Sequence, residues 1–328
     1  MIVVTGGAGF IGSNLVARLE EENLGPLFVC DNLGKDERWQ NLKRRGIADL
    51  IAPQDFKSFL ERHGSKINII YHMGANSSTT ETDADLVMAM NFKFSMMLLE
   101  ECTFRNIRLI YASSAATYGD GTQGFDDAQQ GEALARLTPL NVYGWSKHLF
   151  DRRVTSLREE GLPLPPQCVG LKFFNVYGPN EYHKETMRSV AIQLYQQIKE
   201  GKPARLFKSY HPDYTDGGQQ RDFIWVEDCV DIMLWLYHHP NVNGVLNVGT
   251  GKARSFYDLA LAVFKALNKE PAVEFIEMPL YLREKYQYFT QATMQRLEEL
   301  GYKTPFTSLE EGVRRYVQNY LLKRDPYR

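Results

Sequence analysis

Tyr143 and Lys147 stand four residues apart in Tyr143-Gly144-Trp145-Ser146-Lys147, so on a helix both point the same way. That pairing has a chemical use. A free tyrosine titrates near ~10, so acting as a base near neutral pH requires about 4 kcal/mol of phenolate stabilisation. A neighbouring ammonium favours the phenolate, as does an oxidised, positively charged nicotinamide ring. A hydroxyl pair lies upstream in Ala112-Ser113-Ser114-Ala115-Ala116, after the apolar run Leu109-Ile110-Tyr111. Ser114 is the residue expected against a substrate oxygen, sharing its proton with Tyr143; Ser113 could instead cap a turn. On its own the Tyr143/Lys147 pair could equally be a solvated pair on a surface helix. The other end of the chain argues against that.

There, Thr5-Gly6-Gly7-Ala8-Gly9-Phe10-Ile11-Gly12 separates a short β-branched run from a helical pattern. Gly6 can take the tight turn, Gly9 lets backbone approach a pyrophosphate, and Gly12 lets helix and strand pack closely. The helix N-terminus offers free N–H groups to phosphate. Asp31 follows at the end of the next apolar run and would accept from an adenosine 2′-hydroxyl. As a lone acid it favours NAD. Lys35 and Arg38, in the same loop, could instead hold the 2′-phosphate of NADP, or be solvated surface charges.

The elements needed to position these groups can be read from periodicity. Strands are expected at Ile2–Thr5, Leu27–Cys30, Ile67–Tyr71, Leu109–Tyr111, Cys168–Phe173 and Val245–Val248. Helices are expected at Phe10–Glu22, Asp85–Arg105, Asn141–Leu157, Ser189–Lys199, Val226–His238, Ser255–Leu267 and Leu309–Leu322, and a polar loop at His211–Gln220. Strands alternating with helices imply an α/β chain: a Rossmann-type, doubly wound parallel sheet with a smaller α/β substrate-binding lobe. The division expected is 1–178 for the cofactor domain and 179–328 for the substrate lobe, with some later elements returning to the first domain.

Composition excludes several classes. With 38 Lys+Arg and 40 Asp+Glu in 328 residues, the net charge of −2 gives no overall pull toward nucleic acid or anionic membrane. At 44% hydrophobic and 24% charged the chain is of ordinary globular composition. Cys30, Cys102, Cys168 and Cys229 are scattered without CxxC spacing, so reduced, buried thiols and no metal are expected. No apolar run approaches the ~20 residues that span a bilayer. Only Met1 precedes the first strand, so no leader is expected and the site of action is expected to be cytoplasmic.

The Gly6/Gly9/Gly12 spacing with Tyr143 and Lys147 resembles the extended short-chain dehydrogenases/reductases. Six further stretches narrow this: Gly74-Ala75-Asn76-Ser77-Ser78-Thr79-Thr80-Glu81, Ser113–Gly119, Pro139–Gly144, Phe174-Asn175-Val176-Tyr177-Gly178-Pro179, His183-Lys184 and Phe289-Thr290-Gln291-Ala292. Together they resemble the ADP-L-glycero-D-manno-heptose 6-epimerase family over essentially the whole chain. The resemblance implies transient oxidation and re-reduction at C6″ of an ADP-heptose with tightly held NADP, in heptose supply for lipopolysaccharide core, by a homo-oligomer. It places Lys184 as a second base opposite Tyr143. It implies cofactor contacts from Phe10, Ile11, Asp31, Asn32, Arg38, Met73, Gly74, Ala75, Asn76, Ser77, Asn91 and Val176, beside Gly6, Gly9, Gly12 and Lys147. It implies substrate contacts from Ser114, Asn175, Thr186, Gln193, Phe207, Arg221 and Tyr286.

The chain departs from the family pattern at Pro53, Met90 and Gln193, and its loop His211–Gln220 is long. Ala115-Ala116 stand where dehydratases of the superfamily carry an Asp-Glu pair, which disfavours loss of water. A UDP-hexose 4-epimerase or another nucleotide-sugar reductase is the alternative within the superfamily. A cofactor-sensing protein on a degenerate fold is the alternative outside it.

Overall fold

The structure is a computed structural model that describes residues 1–128, 131–283 and 286–328. In chain order the strands are β1 (Ile2–Thr5), β2 (Leu27–Cys30), β3 (Asp49–Ile51), β4 (Ile69–His72), β5 (Arg108–Ser114), β6 (Cys168–Phe173), β7 (Asn175–Tyr177), β8 (Ala204–Phe207), β9 (Gln220–Trp225), β10 (Gly244–Val248), β11 (Ala253–Ser255) and β12 (Val273–Ile276). Seven of them form one parallel sheet in the order β10-β6-β5-β4-β1-β2-β3. The order reverses between β1 and β4, and ligands of such sheets bind beyond the carboxyl ends of the strands at that switch point.

The apolar runs form these strands because both sheet faces are covered. Side chains alternate across a strand. Ile2 and Val4 enter one core with Ile69, Tyr71, Ile110 and Val169. Val3 enters the other with Ile70, Leu109, Tyr111 and Cys168. The four cysteines are free thiols, all buried. A separate core gathers Tyr195, Leu206, Trp225, Val263 and Tyr316 around two small sheets, β11-β9-β7 and β12-β8. Although it comes late in the chain, β10 pairs in parallel with β6.

Most expected elements lie within a residue or two of their positions, and the departures have physical causes. The stretch expected as one helix from Asp85 is Ala84–Val87 and Phe94–Arg105 joined by a π-helical turn at Met88–Lys93. Such wide turns concentrate at functional sites. A second π-helical turn, Val317–Leu321, ends the last helix after Leu309–Tyr316. The edge strand β3 and the strands of the small sheets were not expected: β3, β7, β8, β11 and β12 are only three or four residues long, and the six of β9 run from polar to apolar without alternation. Among the described residues no helix is long and apolar enough to cross a membrane, and no group of His, Cys, Asp and Glu could hold a metal ion.

Candidate active site

A cleft of about 880 Å³ opens at the switch point. The glycine loop forms its floor. Gly6 has φ +66°, and a Cβ there would stand 2.5 Å from Gly74 Cα. A Cβ on Gly12 would stand 2.1 Å from the Gly6 carbonyl oxygen. The loops after β1 and β4 therefore touch through backbone alone. The helix Phe10–Glu21 begins at Gly9 with no side-chain cap and no acid in its first turn. Its free N–H groups and this bare backbone fit a dinucleotide pyrophosphate.

Phe10, Ile11, Met73, Gly74, Ala75, Asn76, Ser77 and Val176 line the same cleft as Gly6, Gly9 and Gly12. Asp31 lines it too, accepting from the Ala8 and Asn32 amides, each at 2.8 Å. Burial pushes its carboxyl above the ordinary value, against those bonds and Arg38. Arg38 reaches the cleft, but it is already engaged. Its Nη2 lies 2.7 Å from Asp36 Oδ2, while its Nη1 lies 4.0 Å from Asp31. Asp36, unremarked in the sequence reading, thus competes for the cation expected at a 2′-phosphate. Asn32 and Lys35 sit exposed on the loop after Asp31, outside the cleft lining. Asn91 is fully buried and lies behind the wall. Its amide brackets Asn76, accepting from the Asn76 N–H at 2.8 Å and donating to its carbonyl at 2.9 Å.

The helix Val142–Glu159 carries Tyr143 and Lys147. Asn141 caps it, accepting from the Gly144 N–H at 2.8 Å. Tyr143 and Lys147 line the cleft with Ser114, at the end of β5. Burial pushes the Tyr143 phenol above its ordinary value, and hydrogen bonding with the Ser114 hydroxyl pulls it back. Ser114 also caps the next turn, accepting from the Ala116 N–H at 3.1 Å. Ser113 has a different partner: its hydroxyl donates to Asp151 at 2.6 Å. Lys147 donates to the Ala112 carbonyl at 2.8 Å. Burial brings its ammonium down to about 8, and Asp151 opposes the fall.

Asp151, one turn beyond Lys147, is fully buried. It accepts from the Tyr111 hydroxyl at 3.0 Å and lies 3.7 Å from the Lys172 ammonium. Lys172 donates to Thr117 Oγ1 at 2.8 Å and sits 4.2 Å from the Tyr118 ring centre. The sequence reading passed over this ion pair. Its signals were an acid four residues beyond Lys147 and a lysine inside the apolar strand β6.

Lys184 also lines the cleft, on the irregular turn Tyr182–Met187. Its ammonium lies 5.7 Å from the Phe10 ring centre. Burial lowers its ammonium, partly offset by Glu181. Glu181 anchors this turn: buried, it accepts from the Ser189 amide, from the Ser189 hydroxyl at 2.7 Å and from the Tyr316 hydroxyl at 2.9 Å. Glu185 follows with φ 47° and ψ −115°, a backbone rarely adopted outside glycine.

Asn175 and Thr186 also line the cleft. Gln193 does not: its amide donates to the Arg188 carbonyl at 2.8 Å. Phe207, Arg221 and Tyr286 form a separate group outside the cleft lining. The Phe207 and Tyr286 ring centres are 6.3 Å apart, and the Arg221 guanidinium lies 5.3 Å from Tyr286 and 5.5 Å from Phe256. Phe256 is itself a cleft wall. Arg221 is buried and has no carboxylate partner among the described residues; its one bond is to the Gln220 carbonyl, at 2.8 Å.

This geometry agrees with what the chain is similar to. Residues 2–249 match the NAD dependent epimerase/dehydratase family, and the chain belongs to it. Within that family it groups with proteins named ADP-L-glycero-D-manno-heptose-6-epimerase. The one from Nitratidesulfovibrio vulgaris is 51% identical over the full length of both chains. The one from Fusobacterium nucleatum is 46% identical, again over the full length of both. The crystal structure of the Helicobacter pylori protein of that name is 30% identical, covers 97% of this chain and 95% of its own, and superposes with a TM-score of 0.79. A Thermus thermophilus UDP-glucose 4-epimerase, solved in complex with NAD, is 25% identical at a TM-score of 0.74, covering 96% of this chain and 97% of its own.

Proposed function

We propose that the protein is an ADP-heptose 6-epimerase that inverts C6″ of ADP-D-glycero-D-manno-heptose to the L-glycero epimer, in heptose supply for lipopolysaccharide core. Full-length relatives of that name at 51% and 46% identity carry this reading. The alternative, a UDP-hexose 4-epimerase, rests on structures such as the Thermus thermophilus UDP-glucose 4-epimerase at 25% identity. In a seven-carbon sugar C6″ is an internal carbinol, so its oxidation gives a ketone. A nicotinamide dinucleotide, typical of the family, would supply the reversible two-electron exchange when bound.

The residues of this chain handle the proton and the geometry. Gly6, Gly9 and Gly12 with the first helix N-terminus would hold the pyrophosphate, and Asp31 the adenosine ribose. We assign NADP rather than NAD to this site. Arg38 and Lys35 are the cations for the 2′-phosphate, and Arg38 must then divide its bonds between that phosphate and Asp36. Tyr143, with Lys147 beside it, takes the proton of the C6″ hydroxyl on one side of the cleft while Ser114 orients the oxygen. The carbonyl then turns to present its other face. Lys184 exchanges the proton there, and burial brings it toward the range where it can do so. In this reading Asn175 and Thr186, which line the cleft, contact the sugar, and Phe207, Arg221 and Tyr286 the nucleotide. An arginine without a carboxylate partner suits a diphosphate. Gln193, turned to Arg188, is not assigned a substrate contact. We further infer a cytoplasmic homo-oligomer.

Incubation of the purified protein with ADP-D-glycero-D-manno-heptose, followed by analysis at C6″, tests the reading. A mixture of both C6″ epimers is expected. Unchanged substrate, together with turnover of UDP-glucose, would contradict it.

A further inference from the structure

A continuous buried chain of hydrogen bonds runs from the cofactor loops to the first turn of the helix bearing Tyr143. Its donors and acceptors can be assigned from one end to the other. Thr5 Oγ1, at the end of β1, accepts from the Gly74 N–H at 3.3 Å. Its own proton then goes to His72 Nδ1, at 2.6 Å. His72 Nε2 faces Ser95 Oγ at 2.9 Å. The Ser95 hydroxyl donates to the Asn91 carbonyl, in the π-helical turn. The Asn91 amide nitrogen donates to Ser146 Oγ at 3.0 Å, and the Ser146 hydroxyl donates to the Tyr143 carbonyl at 2.7 Å. Thr5, His72, Asn91, Ser95 and Ser146 are all buried.

Only one tautomer of His72 satisfies every member. With the proton on Nε2, Nδ1 accepts from Thr5 and Nε2 donates to Ser95. With the proton on Nδ1, Thr5 loses its acceptor, Ser95 must donate to the ring, and the Asn91 carbonyl loses its donor. Unmade buried bonds of this kind are costly.

We propose that His72 is a positioning residue, its Nε2–H tautomer tying the cofactor-cradling loops after β1 and β4 to the helix that presents Tyr143. It touches neither substrate nor cofactor. It acts through Ser95, Asn91 and Ser146 on where the Tyr143 backbone stands relative to Gly6 and Gly74. The groups around the ring suit a fixed neutral imidazole. Thr5 comes from β1, Ser95 and the Phe94 ring (5.6 Å) from the helix Phe94–Arg105, and among the described residues the charge acting on the ring is the Lys147 ammonium, on the helix that carries Tyr143. Burial, reinforced by Lys147, holds the ring neutral down to about pH 3.

The proposal uses the assignment of Tyr143 as a base, and the test separates the two. Nitrogen-15 spectra of the full-length protein, labelled at histidine, read the tautomer without any turnover. A protonated Nε2 and a bare Nδ1 are expected for His72, unchanged from pH 6 to pH 9. An Nδ1–H tautomer, or titration in that interval, would overturn the proposal even in an active enzyme.

Two variants add a functional readout on ADP-heptose. His72→Gln keeps one acceptor and one donor and should hold kcat within about threefold. His72→Phe keeps the bulk without the bonds. It should lower kcat by about 10²-fold, the usual cost of a misplacement near 1 Å, with KM unchanged. Wild-type kcat in His72→Phe would also overturn the proposal. If that variant does not fold, the spectra of the wild-type protein decide. An Nε2–H signal in a protein inactive on ADP-heptose would uphold the tautomer lock while removing the proposed substrate.

Discussion

The two candidate bases of the cleft are held in contrasting ways. Tyr143 rises from the first turn of an 18-residue helix, capped by Asn141 and fastened from behind by Ser146 and Asn91. Lys184 rises from a six-residue irregular turn whose neighbour Glu185 has a left-handed backbone. One base is positioned by regular secondary structure. The other depends largely on one buried carboxylate, that of Glu181. A firmly held base and a more adjustable one suit the proposed reaction, in which the carbonyl must turn over between two proton transfers.

The comparison can be broken from either side. The largest effect is expected from Tyr143→Phe, which should cut kcat for epimerisation by about 10³-fold with dinucleotide still bound. Unchanged turnover would remove Tyr143 from its role. Lys184→Met should cost about 10²-fold, measured with ADP-heptose as substrate. Retained full activity would favour the UDP-hexose reading, which needs no second base. Glu181→Leu strips the acceptor from the donors that hold the Lys184 turn. Each buried donor so stranded costs about 1–3 kcal/mol. It should lower kcat about tenfold, and Lys184→Met added to it should cost far less than in the wild type. Full additivity of the two would contradict the anchoring role.

Asp151→Asn sharpens the Tyr143 side. Asp151 raises Lys147, so its loss should send Lys147 below about 8. The Lys147 cation is present below its own pKa and lost above it, so the high-pH limb of kcat should move to lower pH. A limb that stays in place would contradict the coupling. The smallest effects are expected at the ribose. Arg38→Met should weaken NADP binding about tenfold and leave NAD binding unchanged, with Lys35→Met weaker still, by titration calorimetry. Equal losses for both dinucleotides would contradict the NADP assignment.

What could be read beforehand follows the same division. The glycine loop and the Tyr143/Lys147 pair are legible because each is a local pattern: a backbone need at fixed spacing, and one helix face. Asp151 and Lys172 were legible in principle, one four residues beyond Lys147, the other a charge in an apolar strand. Lys184 carries no such signal. Its turn is shaped by Ser189 and by Tyr316, 135 residues from Glu181. Arg221 and Tyr286 meet only through the folding of the small lobe, and the turning of Gln193 toward Arg188 depends on local geometry that no spacing records. The short strands β7, β8 and β11 escaped for a related reason: their partners are far along the chain and their own runs too brief for a period, whereas β9 has six residues but no alternation.

The central claim is that C6″ is oxidised and reduced again by one dinucleotide that stays in place. Substrate carrying deuterium on C6″ tests it most directly. Epimerised product formed in ordinary water should retain that deuterium at C6″. Washout of deuterium into solvent would contradict the account, because it would mean that C6″ loses its hydrogen as a proton.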